Sequence, residues 1–274
     1  MNDAPGAPSR EWNATSYHRV SAPQVSWGRK VLARLPLRGD ESVLDAGCGT
    51  GRLTLELAEL LASGHVVGVD LSQNMLLAAH DHLGEKFASL TNFARADLLE
   101  LPFDAAFDGI FSTAAFHWVR DHDRLFCSLY RALKPGGWLC AQCGGRGNLG
   151  RWLDRVSAWG AAPAYADALE GFAQTWEFAD AETTAQRLER AGFTEISTDV
   201  VEAPIHFDNG QKYREFIGTV ILRNALERMP TAQMREGLLD ELTRQAAGDE
   251  PRYLLDNWRL NMRARKPIVA AQDS

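Results

Sequence analysis

A run of glycines and three carboxylates give the sequence its first chemical handle. Asp45-Ala46-Gly47-Cys48-Gly49-Thr50-Gly51 sets glycine at alternate positions behind an acid. Alternating glycines let a backbone come close to a ligand, with free N–H groups expected at the start of the next helix. Asp70 follows about twenty residues on, where a carboxylate can accept two hydrogen bonds from a ribose 2′,3′-diol. Asp97 stands further along and suits an adenine amino group. The loop departs from the pyrophosphate pattern G-x-G-x-x-G, because Arg52 fills its last position. Asp45 would repel a phosphate and suits an ammonium group. These residues call for a nucleoside without phosphate, joined to something that carries a positive charge.

A second group lies at Ala115-Phe116-His117-Trp118-Val119. His117 either serves as a base toward a phenol or amine, or packs the turn. Trp118 either donates its indole N–H or walls a pocket. Tyr17 either lays its ring against a cation or packs between helices. Arg146 and Arg223 are surface charges or hold a carboxylate, and Trp152, Trp159 and Trp176 are core residues or the lining of an apolar pocket.

The elements that must position these residues alternate. Ser42–Asp45, His65–Asp70, a segment ending over Phe93–Asp97, Phe107–Ser112 and Trp138–Cys143 read as short apolar strands. Helices are predicted at about 52–62, at 73–83 behind a Ser72 cap, and at about 124–133, the last stopped by Lys134-Pro135-Gly136-Gly137. Strands alternating with helices predict a parallel sheet covered on both faces. Upstream, 11–35 is helical with a break at Pro23, after a loose leader over 1–10. Downstream the rhythm changes: 147–177 is mostly helical, 181–191 a further helix, 193–207 one long strand, 213–245 helical and split near Pro230, and 253–265 a last, antiparallel strand. The helical blocks 147–178 and 208–248 are expected to form a lid over the sheet's carboxyl edge.

Composition narrows the function classes. The 274 residues are 45% hydrophobic and 24% charged, the mix of an ordinary globular protein. Twenty-nine basic against thirty-six acidic side chains give a net charge of −7, which disfavours nucleic acid as a partner. The leader lacks the basic start and apolar run of a secretory signal, and no stretch approaches a membrane span. A soluble, cytoplasmic protein is expected. Cys140 and Cys143 form a lone C-x-x-C without a second ligand pair; they read as small residues along a buried strand, and no metal is expected.

S-Adenosylmethionine, a nucleoside without phosphate joined to an amino acid, matches both ends of the ligand described. Val43–Gly51, Val67–Ser72, Ala96-Asp97-Leu98 with Leu101-Pro102-Phe103, Phe107-Asp108 and Leu133–Gly137 resemble, in order and spacing, the motif series of class I S-adenosylmethionine-dependent methyltransferases. The resemblance covers about residues 40–143. It implies a Rossmann-like α/β fold: a seven-stranded, mostly parallel sheet in order 3-2-1-4-5-7-6 with the last strand antiparallel. It places core at about 36–146, 179–207 and 253–265 of a single domain, with the N-terminal helical segment and lid blocks added. By the same resemblance Gly47, Gly49 and Gly51 line the methionine and ribose, Asp70 the hydroxyls, Leu71 the adenine face, and Asp97 and Leu98 the adenine edge. Tyr17, Asp45, Cys48, Met75 and Thr113 complete the expected cofactor set.

The His117-Trp118 pair and the Tyr17…Gln24 spacing resemble small-molecule carboxyl methyltransferases of the trans-aconitate and juvenile-hormone-acid type. That likeness assigns Gln24 and Trp118 to a substrate carboxylate and implies a small or lipophilic organic acid as the acceptor. A carboxylate is already ionised at neutral pH and needs no base. N-, C- or phenol O-methylation with His117 as base, and a cofactor-binding module without turnover, are the alternatives. Monomer and homodimer remain equally open.

Overall fold

The computed structural model describes residues 11–83, 87 and 89–268; the leader read over 1–10 lies outside them. Five parallel strands carry the alternating half of the chain: β1 (Ser42–Ala46), β2 (His65–Asp70), β3 (Thr91–Arg95), β4 (Phe107–Thr113) and β5 (Leu133–Gly144). Two strands from the second half, β6 (Thr194–Glu202) and β9 (Trp258–Arg265), complete a seven-stranded sheet in the order β3-β2-β1-β4-β5-β9-β6. β9 runs antiparallel to both neighbours. Since β9 is the seventh sheet strand along the chain, this is the 3-2-1-4-5-7-6 arrangement.

Several helices begin where a side chain satisfies a first-turn N–H group. Helix α3 (Arg52–Leu60) follows Gly51 directly, and α4 (Gln73–Leu83) is capped by the Ser72 hydroxyl, 3.3 Å from the Met75 amide. Asp121 caps α5 (His122–Ala132), and Asp180 caps α8 (Ala181–Arg190). Upstream, α1 (Ala14–Val20) and α2 (Ala22–Leu32) meet at Ser21, not at Pro23. Proline sits in the first turn of α2, where its missing N–H costs nothing.

Two apolar layers sandwich the sheet. Period-two alternation sends Leu44, Ile110 and Leu139 toward α5 and α8, and sends Val43, Phe111 and Trp138 toward α2 and α3. Burying each large side chain contributes about 1.5–3 kcal/mol. The same alternation explains the C-x-x-C: three residues apart on β5, Cys140 and Cys143 fall on opposite faces.

The second half departs from its reading in one respect. The strand expected over 193–207 ends at Glu202, before Ala203-Pro204, because proline has no N–H for the ladder. A two-residue β7 (Ile205–His206) then pairs with β8 (Leu254–Leu255), so the strand expected over 253–265 is also divided. This ribbon closes the base of an excursion through α9 (Gly210–Phe216), a π turn at Ile217–Ile221, α10 (Arg223–Arg228) and α11 (Ala232–Ala247). With α6 (Gly150–Gly160), α7 (Pro163–Leu169) and the 3-10 turn at Phe172–Thr175, these helices enclose a third apolar cluster around Trp152, Phe172, Trp176 and Phe216. None of the described helices is long and apolar enough to cross a membrane.

Candidate active site

The carboxyl ends of β1, β2 and β4 and the start of β9 open into a cleft of about 690 Å³ roofed by the helical cluster. Of the residues singled out from sequence, Tyr17, Gln24, Gly47, Gly49, Asp70 and Leu71 line it. So do Met75, Asp97, Leu98, Thr113, His117 and Trp118. Asp45, Cys48 and Gly51 do not. Asp45 shares the α3-facing side of β1 with Val43 and accepts a 2.6 Å hydrogen bond from the Thr54 hydroxyl. Cys48 turns its sulfur under the loop toward Gly68, and Gly51 packs against Ala79 of α4.

The glycine loop is held through its backbone amides, chiefly against the end of β2. Gly47 and Cys48 both donate to the Val69 carbonyl at 2.9 Å, Gly49 donates to Asp70 at 2.9 Å, and Gly51 donates to the Cys48 carbonyl. These loop amides are thus spent on Val69, on Asp70 and on the turn itself, which rules out an anion cradle built from them, whereas the first-turn amides of α3, where the sequence places free N–H groups, carry no side-chain cap. Gly47 has φ +85° and a side chain there would strike Ala115, so glycine is required. At Gly49 a Cβ would meet nothing within 4 Å: the loop backbone faces open cleft there.

Asp70 accepts from Gly49 with one oxygen and from Ser72 with the other, each at 2.9 Å, and so is fixed in orientation. Burial raises its carboxyl above the usual range, against those backbone bonds. Burial does the same more strongly at Asp45, pushed up to about 7 with the Asp70 charge adding and the Thr54 bond opposing. Tyr17 stands between the cleft's two halves, its phenol pushed up to about 12 by burial and then by Asp70, while the Arg52 and Arg259 charges pull down.

The other half of the cleft centres on His117. Its Nδ1 accepts the Gly144 backbone N–H at 3.2 Å, so the ring proton sits on Nε2. Burial, then the nearby Arg259 and His122 charges, holds its pKa well below the ordinary value. His117 is therefore a neutral donor. Around it stands an aromatic wall: Trp176 stacks on Phe178 (7° between planes), and Trp118 meets Trp176 at 5.6 Å and Trp12 edge-on at 5.3 Å. Ala114 and Leu149, both cleft residues, hold left-handed backbone (φ 54° and 59°), a strain that recurs at functional sites.

Arg259 went unnoticed in the sequence. It is the second residue of β9, lines the cleft and is 4% exposed. Its guanidinium lies over the Trp27 ring (4.1 Å) and donates through Nη2 to the Asn148 side-chain oxygen (2.9 Å). That oxygen also accepts from Asn257 Nδ2 and the Trp258 amide. Arg259 Nε is buried with no hydrogen-bond partner among the described residues, as are Gln24 Oε1 and Asn257 Oδ1. Burial pulls the guanidinium down to about 10, and no carboxylate among the described residues pairs with it. The signal was positional. An antiparallel strand beside strand five begins at the sheet's ligand edge, so a basic residue at its start belongs there.

The two arginines weighed from sequence fall elsewhere. Arg146 is exposed and paired with Asp180. Arg223 reaches the cleft wall, where it donates to the Glu11 carbonyl at 2.7 Å and covers the Trp12 ring. Glu11 in turn accepts from the Ser72 hydroxyl and from the Gln73 and Asn74 amides, strapping the N-terminal segment across α4.

Comparison with known proteins fits this geometry. Residues 44–141 match the family model described as a methyltransferase domain. A trans-aconitate 2-methyltransferase of Variovorax paradoxus is 37% identical over 132 residues, 48% of this chain and 49% of that one. An uncharacterized methyltransferase of Schizosaccharomyces pombe is 30% identical over 194 residues, 68% of this chain and 72% of that one. The match to the trans-aconitate relatives spans about half their length. Among solved structures, the Haemonchus contortus phosphoethanolamine N-methyltransferase 2, in complex with phosphomonomethylethanolamine and S-adenosylhomocysteine, superposes with a TM-score of 0.60. It is 22% identical and covers 93% of this chain and 57% of its own, a likeness of fold. The chain belongs to the class I S-adenosylmethionine-dependent methyltransferases.

Proposed function

We propose that the protein transfers the methyl group of S-adenosylmethionine to a carboxylate oxygen of a small organic acid, forming a methyl ester. The observation that carries this reading is Arg259: a buried guanidinium on the cleft wall which, among the described residues, has a buried N–H unsatisfied and no acid beside it. A buried cation without a counter-ion is costly, and an anionic ligand relieves that cost.

The residues present suit the cofactor. Open space at Gly49 and the fixed carboxylate of Asp70 match a ribose diol, with Leu71, Met75 and Leu98 as apolar neighbours for a base and Asp97 at its edge. Asp45 lies just beneath the loop and outside the cleft lining, and a bound ammonium group would favour its charged form. When bound, the cofactor brings a methyl group made electrophilic by a sulfonium.

The chain's own work is alignment. Arg259 fixes the acceptor carboxylate by charge. The Nε2–H of His117 and the Gln24 amide orient it as neutral groups, which do not quench an oxygen nucleophile as a second cation would. In-line displacement forms one C–O bond and breaks one C–S bond, with the electron pair leaving on sulfur, and no proton need move. Holding the reactants in line is the chief contribution required.

The reading with His117 as base, for a phenol or amine, is less well supported. Its Nδ1 is occupied by Gly144 N–H and its Nε2 already carries a proton, so neither nitrogen is available to accept one. Labelled S-adenosylmethionine offered with carboxylic acids, phenols and amines separates the readings. Base-labile product from acids alone is expected. Base-stable product from phenols or amines overturns the ester reading, and cofactor binding without turnover on any acceptor leaves only a binding module.

A further inference from the structure

We infer that the acceptor is an acid with a single carboxylate and a flat aromatic body, not a polycarboxylate; this rests on the ester-forming reading above. Two observations define the class. The first is how the cleft's positive charge is distributed. Among the described residues that line it, four are arginines: Arg120, Arg223, Arg228 and Arg259. Arg120 is exposed at the rim. Arg228 donates to the Glu170 and Asp167 carbonyls at the end of α7. Arg223 holds the Glu11 carbonyl, faces Trp12 and lies 3.5 Å from Glu227. Those contacts fasten the helical roof and the N-terminal strap, and leave Arg259 as the buried cation turned to the ligand. One buried cation balances one carboxylate. A second or third carboxylate carried into the same space would meet indole and phenyl rings and lose its hydration without compensation.

The second observation is the shape of the apolar wall. Trp176 and Phe178 lie parallel, 5.7 Å between centroids, and Phe172 meets Trp176 edge-on at 5.1 Å. Trp118 closes the side next to His117. Faces and edges presented at these angles suit offset stacking and edge-to-face packing of another ring better than they suit a flexible chain. The π turn at Ile217–Ile221 brings Val220 and Ile221 onto the cleft wall with Ala225, extending its apolar surface beside Asn224, whose buried Oδ1 has no partner among the described residues. One pole is a cation and the other a set of ring planes.

The test uses the full chain, labelled S-adenosylmethionine and four acids: cinnamate, phenylacetate, octanoate and trans-aconitate. The two aromatic acids should exceed octanoate in kcat/KM by about tenfold and trans-aconitate by about a hundredfold. Trp176→Leu should bring aromatic acids and octanoate to within about twofold of each other while octanoate turnover persists. Arg259→Gln should raise KM for the aromatic acids about a hundredfold, with cofactor affinity by calorimetry changed less than about threefold, a readout that a misfolded variant would fail. Arg259→Lys, which keeps the charge and loses the fork, should fall between. Preference for trans-aconitate, or an aromatic preference untouched by Trp176→Leu, overturns the inference and leaves the ester reading standing. Methylation of phenols or amines with every acid inert removes both.

Discussion

The cleft's two halves are built on opposite principles. In the cofactor half, polar groups find one another within the chain: Asp70 is pinned by two amides, Gly47 and Cys48 by Val69, Asp45 by Thr54. Its contacts join neighbouring loops of β1 and β2, and the cradle is complete without a ligand. In the acceptor half, Gln24, Asn257 and Arg259 each carry a buried atom with no partner among the described residues. Those side chains come from α2 and from the far end of the chain. A satisfied cradle binds one ligand in one pose, whereas a site with unspent hydrogen-bonding capacity takes its specificity from whatever completes it.

Substitutions on either side can break that contrast. Asp70→Ala should have the largest effect, weakening cofactor binding about a thousandfold, because it removes the diol acceptor and strands the Gly49 and Ser72 amides. Calorimetry with S-adenosylmethionine measures it, and a loss below tenfold would mean the cradle is less dependent on this carboxylate than its geometry suggests. Next comes a pH effect at Asp45. Its carboxyl sits at about 7 folded and near 4 unfolded, so between those values the folded chain keeps a proton that the unfolded chain sheds. Stability from this group is present below about pH 4 and is lost as pH rises through about 7. Asp45→Asn cannot ionise and should be about 4 kcal/mol more stable than the parent at pH 8, with little difference at pH 4, by urea denaturation. Saturating cofactor should shrink the gap, since a bound ammonium favours the carboxylate.

His117→Phe should lower kcat/KM for an acid about tenfold by removing one neutral donor, while cofactor affinity holds. Because its pKa is held low, the parent's rate at saturating cofactor should be flat from about pH 6 to 8; a limb near 6.5 that vanishes in His117→Phe would restore the base reading. The smallest effect belongs outside the cleft. Arg146→Ala, at an exposed ion pair with Asp180, should change stability by no more than about 0.5 kcal/mol and activity not at all.

The same contrast governs what could be read from sequence. β2 (His65–Asp70) and α4 (Gln73–Leu83) fall within their predicted bounds, because a buried parallel strand and a capped amphipathic helix announce themselves locally. Asp70 and the glycine loop were legible for the same reason. Two local readings lacked their partners: the alternating glycines do not say where the loop amides bond, which depends on β2. Asp45 implied a cleft residue, but its side of the strand depends on where α3 lies. Arg259 carried no local mark. Its meaning comes from β9 sliding between β5 and β6, from Trp27 on α2 and from Asn148 ahead of α6, none of them near it in sequence.

That insertion of β9 also has a consequence for synthesis. As the chain leaves the ribosome, β1 to β5 can pair in order, each against a strand already made. β6 emerges with no place to dock, because its neighbour in the sheet is β9 and not β5. It must wait, with α9, α10 and α11 strung behind it, until the later strand appears and enters between them. Loops closed late are the ones a nascent chain holds open longest. The strands that carry the glycine cradle are therefore made early, whereas the guanidinium proposed to hold the acceptor arrives with the strand that seals the sheet. On the proposed reading, synthesis supplies the elements of the cofactor site first and those that choose the substrate last.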